Sequence, residues 1–175
     1  MVPEPGVAAL PQKPFNEEAL VHDAGAVAVL VARVLVVDDD PAGRLVLQRA
    51  LARAGYEVEI AHDGIEALAK LRHGADLVLM DAAMPGLDGF EVTRRIRLDP
   101  AQHDLPILMV TGMATSRDRL RAAQAGVTDF ITKPYELTDL WTRCAALLGA
   151  GRAAATAASH APDRVAALPL AGPTH

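Results

Sequence analysis

Five short apolar runs, each followed by a stretch with helical spacing, fill residues 33 to 148, and this alternation restricts the fold more than any other feature of the chain. Val34–Val37, a continuous apolar run too short for a helix, predicts a strand buried on both faces, and Tyr56–Ala61, Leu77–Met80, Ile107–Val110 and Thr128–Thr132 predict the other four strands. Asp40-Pro41 opens a first helix with an apolar stripe of Val46, Leu47, Ala50, Leu51 and Ala54, ended by Gly55. Asp63 caps a second helix through Arg72, stopped by Gly74. Helices over Gly89–Leu98, Ser116–Ala125 and Leu137–Leu148 are closed by Pro100, Gly126 and Gly149. Asp40, Asp63 and Asp88-Gly89 are assigned to cap and turn chemistry rather than to ligand binding. With right-handed crossovers, repeated strand-helix units build an α/β domain, a five-stranded parallel doubly wound sheet with helices on both faces.

The remaining length falls into two arms. Residues 1–32 form an N-terminal extension, expected to be partly flexible, in which Asn16 is a candidate helix cap with Phe15 stapling onto Leu20. The apolar stretch Ala26–Ala32 fits a buried strand, a continued helix or a partner-binding strip equally well. Residues 149–175, rich in alanine and proline, are expected to be a flexible tail, with a turn or two of helix over Arg152–Ser159. The longest apolar stretch, Ala24–Val37, is broken by Arg33 and falls short of the roughly 20 residues that span a bilayer. Acidic residues Glu17, Glu18 and Asp23 precede it where a signal peptide carries positive charge. No membrane insertion is expected.

Seventeen basic against 22 acidic side chains leave a net charge of −5, which argues against a surface that grips nucleic acid through its phosphates. Cys144 is the single cysteine, so no intramolecular disulfide forms and a reducing, cytoplasmic setting is expected. It sits on the inward side of the last helix and is expected to be an inert buried thiol.

In open sheets of this kind, ligands bind outside the carboxyl ends of the strands. There the chain carries Asp38, Asp39 and Asp40 after the first strand, Asp81 after the third, Thr111 after the fourth and Lys133-Pro134 after the fifth. Carboxylates crowded on one rim repel each other by roughly 4 kcal/mol per close pair at an effective dielectric near 20, a cost that a hard divalent cation offsets. Magnesium, which takes oxygen ligands and keeps waters, suits such an open acidic pocket. A carboxylate beside this cation, with a hydroxyl and an ammonium opposite, has the groups needed to receive a phosphoryl group.

The segments VLVVDDDP, LVLMDAAMPGLDGFEV, LPILMVTG and DFITKPY, in this order and spacing, resemble the receiver domain of two-component response regulators, over about residues 33–148. The resemblance implies a flavodoxin-like sheet with strand order 2-1-3-4-5. It implies that Asp81 is the phosphoacceptor, that Asp39 binds magnesium directly and Asp38 mainly through water, and that Ala83 supplies a backbone carbonyl to the metal. It further makes Thr111 the switch hydroxyl, Lys133 the phosphate-binding lysine, Phe130 the aromatic whose burial reports phosphorylation, and Lys133-Pro134 a cis-peptide candidate.

On this reading the chain takes a phosphoryl group from a phosphohistidine on a histidine kinase or phosphotransfer protein. It then signals to a downstream target protein through the face made by the fourth helix, fifth strand and fifth helix, which is also the expected face of any homodimer. It is not expected to be an enzyme beyond self-phosphorylation and slow autodephosphorylation. The first helix, presenting Arg44, Gln48, Arg49 and Arg53, is the expected kinase-docking face. Only 27 residues follow Leu148, so output is expected to pass through another protein. Apolar Ala83 and Met113, placed where the family often has polar residues, are expected to slow hydrolysis of the acyl phosphate. Two competing readings are a non-phosphorylated pseudo-receiver and a haloacid-dehalogenase-type phosphatase. The first usually lacks a pocket residue, whereas Asp38, Asp39, Asp81, Thr111 and Lys133 are all present here; the second expects an acid two residues after the nucleophile, where this chain has Ala83.

Overall fold

The computed structural model describes residues 31–112 and 115–159. The expected cap at Asn16, the Phe15–Leu20 staple, most of the apolar stretch before Ala32, Met113 and the tail beyond Ser159 lie outside these residues. Elements alternate along the chain as β1 (Arg33–Val37), α1 (Pro41–Arg53), β2 (Glu57–Ala61), α2 (Gly64–Lys70), β3 (Leu77–Asp81), α3 (Gly89–Leu98), β4 (Ile107–Thr111), α4 (Ser116–Ala125), β5 (Asp129–Thr132) and α5 (Leu137–Ser159). The strands form one parallel sheet in the order β2-β1-β3-β4-β5.

Alternation within each strand feeds two cores. Leu35, Val37, Val78, Met80, Ile107 and Met109 face the side covered by α2, α3 and α4, where they meet Phe90, Val92, Ile96 and Ala122. Val34, Val36, Leu77, Leu79, Leu108 and Val110 face α1 and α5, where they meet Leu47, Leu51, Leu140 and Cys144. β3 is buried at every position, as expected for an inner strand of a doubly wound sheet.

Caps set where each helix begins. Asp40 accepts from the backbone N–H groups of Ala42 and Gly43, with Pro41 at the first helical position. Asp63 accepts from Glu66 N, Asp88 accepts from Glu91 N, and Thr115 forms a reciprocal capping box with Asp118. The second helix tightens into a 3-10 turn over Leu71–His73 before Gly74.

Two local expectations are corrected. In α1 the buried positions are Leu47, Ala50 and Leu51 alone, while Val46 is 55% exposed. A helix laid on a sheet buries only a narrow strip, here centred between Leu47 and Ala50–Leu51, and Val46 lies about 90° from its centre. Gly149 does not end the last helix, which continues through Gly151 to Ser159. Each glycine costs a helix interior about 1 kcal/mol relative to alanine, but the alanines that follow have the highest helix propensity of any residue. Gly151 also passes close to the loop before β4, where an added Cβ would lie 3.4 Å from Pro106 Cγ. Among the described residues no helix is long and apolar enough to cross a membrane.

Candidate functional site

Parallel strands of matched length bring their carboxyl ends to one rim, and the register places the chemistry there. Val37 pairs with Met80, Asp81 with Val110, and Thr111 with Thr132. Asp38 therefore follows β1 beside the last residue of β3, and Lys133 follows β5 one strand beyond Thr111. Carboxylate oxygens of Asp38, Asp39 and Asp81 lie within 4.8 Å of one another. Asp38 and Asp81 are buried, at 2% and 7% exposure, and Asp39 opens to solvent.

Local bonds hold each carboxylate. Asp38 Oδ1 accepts from Asp40 N at 2.8 Å, and its carbonyl accepts from Arg44 Nη1 at 2.6 Å. Arg44 is thus turned back onto the β1–α1 loop, and the expected row of docking cations on α1 loses one member to this loop. Position 43 is also constrained: a Cβ there would lie 3.0 Å from Asp38 Oδ2 and 3.2 Å from Asp40 Oδ2. After β3, Ala82 N donates to Val110 O at 2.9 Å, Gly89 N donates to Ala82 O at 3.1 Å, and Ala83 is exposed in the loop between. A Cβ at Gly89 would stand 2.2 Å from the Asp81 carbonyl, so only glycine lets α3 begin this close to the site.

The opposite wall comes from β4 and β5. Lys133 N donates to Thr111 O at 2.7 Å, and the Lys133–Pro134 peptide is cis. Lys133 Nζ lies 3.4 Å from Asp81 Oδ1 and 3.5 Å from Asp38 Oδ2, so one ammonium bridges two acids. Burial pushes the Asp81 carboxyl above its ordinary range, with Asp38 and Asp39 adding to the effect and Lys133 opposing it. For Lys133, burial works against the charge, yet Asp81 and Asp38 outweigh it and the ammonium is held more firmly than usual. Burial also raises the Tyr135 phenol, which senses the charges of Lys133, Asp38 and Asp81. Phe130 is half-buried against the α3–α4 side of the core, with Arg119 of α4 5.6 Å from its ring centroid.

Three carboxylates against one lysine leave a pocket with net negative charge and hard oxygen donors. That donor set fits magnesium rather than a thiolate- or imidazole-seeking metal. Cys144 takes no part: it is fully buried, and burial pushes its thiol up to about 12.

Sequence spacing did not reveal Gly43, Arg44 and Gly89 as parts of the site. For the glycines the one available signal was a small residue in the first turn of a helix that begins beside an acid.

The fold and rim define a doubly wound α/β domain with an acidic, lysine-bridged pocket at the carboxyl ends of its strands. The family described as the response regulator receiver domain matches residues 34–145, and the chain belongs to that family. Response regulator MprA of Mycobacterium avium is 44% identical over 117 residues, which are 66% of this chain and 50% of that protein. The MprA of Mycobacterium tuberculosis strain H37Rv matches to the same extent. The chain thus spans about half the length of the curated relatives it matches. Among solved structures, Vibrio cholerae chemotaxis protein CheY4 is 34% identical with a TM-score of 0.65, covering 67% of this chain and 98% of that one. The receiver domain of sensor histidine kinase PA1611 from Pseudomonas aeruginosa, described with a magnesium ion coordinated in its active site cleft, is 32% identical with a TM-score of 0.64, over 68% and 98% of the two chains. The chain is therefore a response-regulator receiver of the two-component class.

Proposed function

We propose that Asp81 accepts a phosphoryl group from a phosphohistidine on a histidine kinase or phosphotransfer protein, in the cytoplasm. The P–N bond of the donor breaks, a P–O bond to an Asp81 carboxylate oxygen forms, and the imidazole leaves with a proton from solvent. Magnesium, held by Asp38, Asp39, Asp81 and the Ala83 carbonyl, would neutralise charge on the transferring oxygens. Lys133 would move from bridging Asp38 and Asp81 to pairing with the phosphoryl oxygens, and Thr111 would donate its hydroxyl to them. The shift of Thr111 toward the new dianion lets Phe130 bury further, and the α4–β5–α5 face changes for a downstream protein or a second copy to read. Ala83 offers no polar side chain to orient a hydrolytic water, which favours a long-lived acyl phosphate.

The convergence of Asp38, Asp39 and Asp81 within 4.8 Å, with Lys133 across two of them, carries this reading. A pseudo-receiver has no need of such costly crowding, and a dehalogenase-type phosphatase needs an acid where Ala83 stands. The test mixes the full chain with magnesium and acetyl phosphate and follows intact mass. A phosphoryl-sized increase absent from Asp81→Asn is expected; an equal increase in that variant, or none in the wild type, rejects the proposal.

A further inference from the structure

The space beside Thr111 is smaller than the proposed switch needs. Phe90, Met109, Thr111, Arg119, Ala122 and Phe130 bound a cavity of about 10 Å³ between α4 and the sheet. That is room for one water molecule, whereas a cavity that takes up a benzene ring is roughly 150 Å³. Met109 and Phe90 are fixed in the core, at 1% and 4% exposure. The room vacated by Thr111 is one side of this cavity only, and for the whole Phe130 ring to enter, the wall built by α4 must move outward as well.

That wall is fastened. Arg121 of α4 places Nη2 2.7 Å from Asp88 Oδ2, and its guanidinium carbon lies 4.3 Å from the centroid of the Phe90 ring. Asp88 Oδ1 meanwhile caps α3 through Glu91 N at 2.8 Å. One carboxylate thus joins the start of α3 to the middle of α4, and the ring under the guanidinium is itself a wall of the cavity. At the far end of α4, Arg97 Nε donates to the Gly126 carbonyl at 2.8 Å. Release at Arg121 would leave α4 tethered by its C-terminus, free to swing at the end nearer Thr111.

We infer that Arg121 is a positioning residue of the switch: paired with Asp88 above Phe90, it clamps α4 over the Thr111 cavity, and the phosphorylated state forms only when this clamp opens. The inference rests on the proposed roles of Asp81, Thr111 and Phe130. Because opening costs free energy before any phosphoryl mimic can bind the open state, loosening the clamp raises the open population and tightens apparent affinity. Both partners are partly exposed, with side chains at 40% and 34%, so the effect is modest, about three- to tenfold.

The test titrates beryllofluoride into the full chain at saturating magnesium, followed by fluorine NMR, beside separate magnesium titrations without fluoride and thermal melts. Arg121→Ala and Asp88→Asn, the second of which keeps a capping oxygen for α3, are each expected to bind beryllofluoride about three- to tenfold more tightly with magnesium affinity unchanged. The double variant is expected to bind no more tightly than either single one, and Arg121→Lys, which keeps the charge but not the flat stacked group, to fall between. Wild-type affinity in both single variants, or strictly additive gains, would overturn the clamp while leaving the phosphoacceptor reading intact. Absence of beryllofluoride binding in the wild type rejects that reading, and the clamp with it.

Discussion

Lys133 Nζ stands 3.4 Å from Asp81 Oδ1, close enough to steady this carboxylate yet unable to offset its burial and its two acidic neighbours. The Asp81 carboxyl is consequently easier to protonate in the folded chain than in the unfolded one. A group raised in this way favours the folded state fully below its unfolded pKa, and that contribution is lost as pH rises through the folded value.

In the absence of divalent cations, Asp81→Asn should therefore melt at a higher temperature than the wild type at neutral pH. The gap should narrow as pH falls through the carboxylate range, because the wild-type group then becomes neutral as well. Thermal melts from about pH 3 to about pH 7 measure this. A gap of constant size across that window would show that Asp81 titrates as it does in the unfolded chain.

Magnesium should reverse the same penalty. A ligand that binds only the folded state stabilises by RT ln(1 + [L]/Kd), about 2.7 kcal/mol at one hundred times Kd. Melting temperature should climb with magnesium and return on chelation. Asp39→Asn and Asp38→Asn, each removing one carboxylate charge from the trio proposed to hold the ion, should blunt the rise. Equal responses in these variants and the wild type would place the ion elsewhere.

The two glycines beside the pocket should respond differently to alanine. At Gly89 the new Cβ, fixed rigidly to its own main chain, would meet the Asp81 backbone carbonyl at 2.2 Å, and overpacking of this kind costs about 1–3 kcal/mol. At Gly43 the Cβ would meet Asp38 Oδ2 at 3.0 Å, while helix propensity favours alanine by up to about 1 kcal/mol. Asp38 yields poorly, since its Oδ1 is held by Asp40 N and its Oδ2 faces Lys133. Gly43→Ala should thus keep or gain stability but lose magnesium affinity, up to roughly tenfold, as expected when the groups around a metal ligand are disturbed. Calorimetric titration with a parallel melt separates the two effects. Unchanged affinity would mean that Asp38 moves freely.

The strand runs and helix caps were legible because each rests on local chemistry: two-sided burial keeps β3 apolar as far as its last residue, Asp81, and Asp40, Asp63 and Asp88 cap the helices they precede. The rim acids were legible because a parallel sheet sends every strand end to one edge. Less visible were features that depend on distances between elements. Nothing local in the chain shows that Arg121 reaches Asp88, 33 residues away, or that Arg44 folds back onto the Asp38 carbonyl. The end of α5 is hidden for a different reason: Gly149 carries a stop signal, but the helix propensity of the alanines beyond it outweighs it.

Cys144 offers a reporter for all of these stability claims. Its side chain is fully buried between α5 and the sheet, and burial pushes the thiol up to about 12, so the reactive thiolate is scarce in the folded chain. Alkylation of the native chain should therefore proceed only through molecules that have opened this part of the core, and the labelling rate should track the population of that open form. Magnesium should slow labelling by the factor its stabilisation predicts, and Gly89→Ala should speed it by the factor of its destabilisation. Mass-resolved labelling with iodoacetamide measures each rate. Labelling of the native chain at the rate of an unfolded thiol would show that α5 does not shield Cys144, and would contradict the packing of α5 against β3.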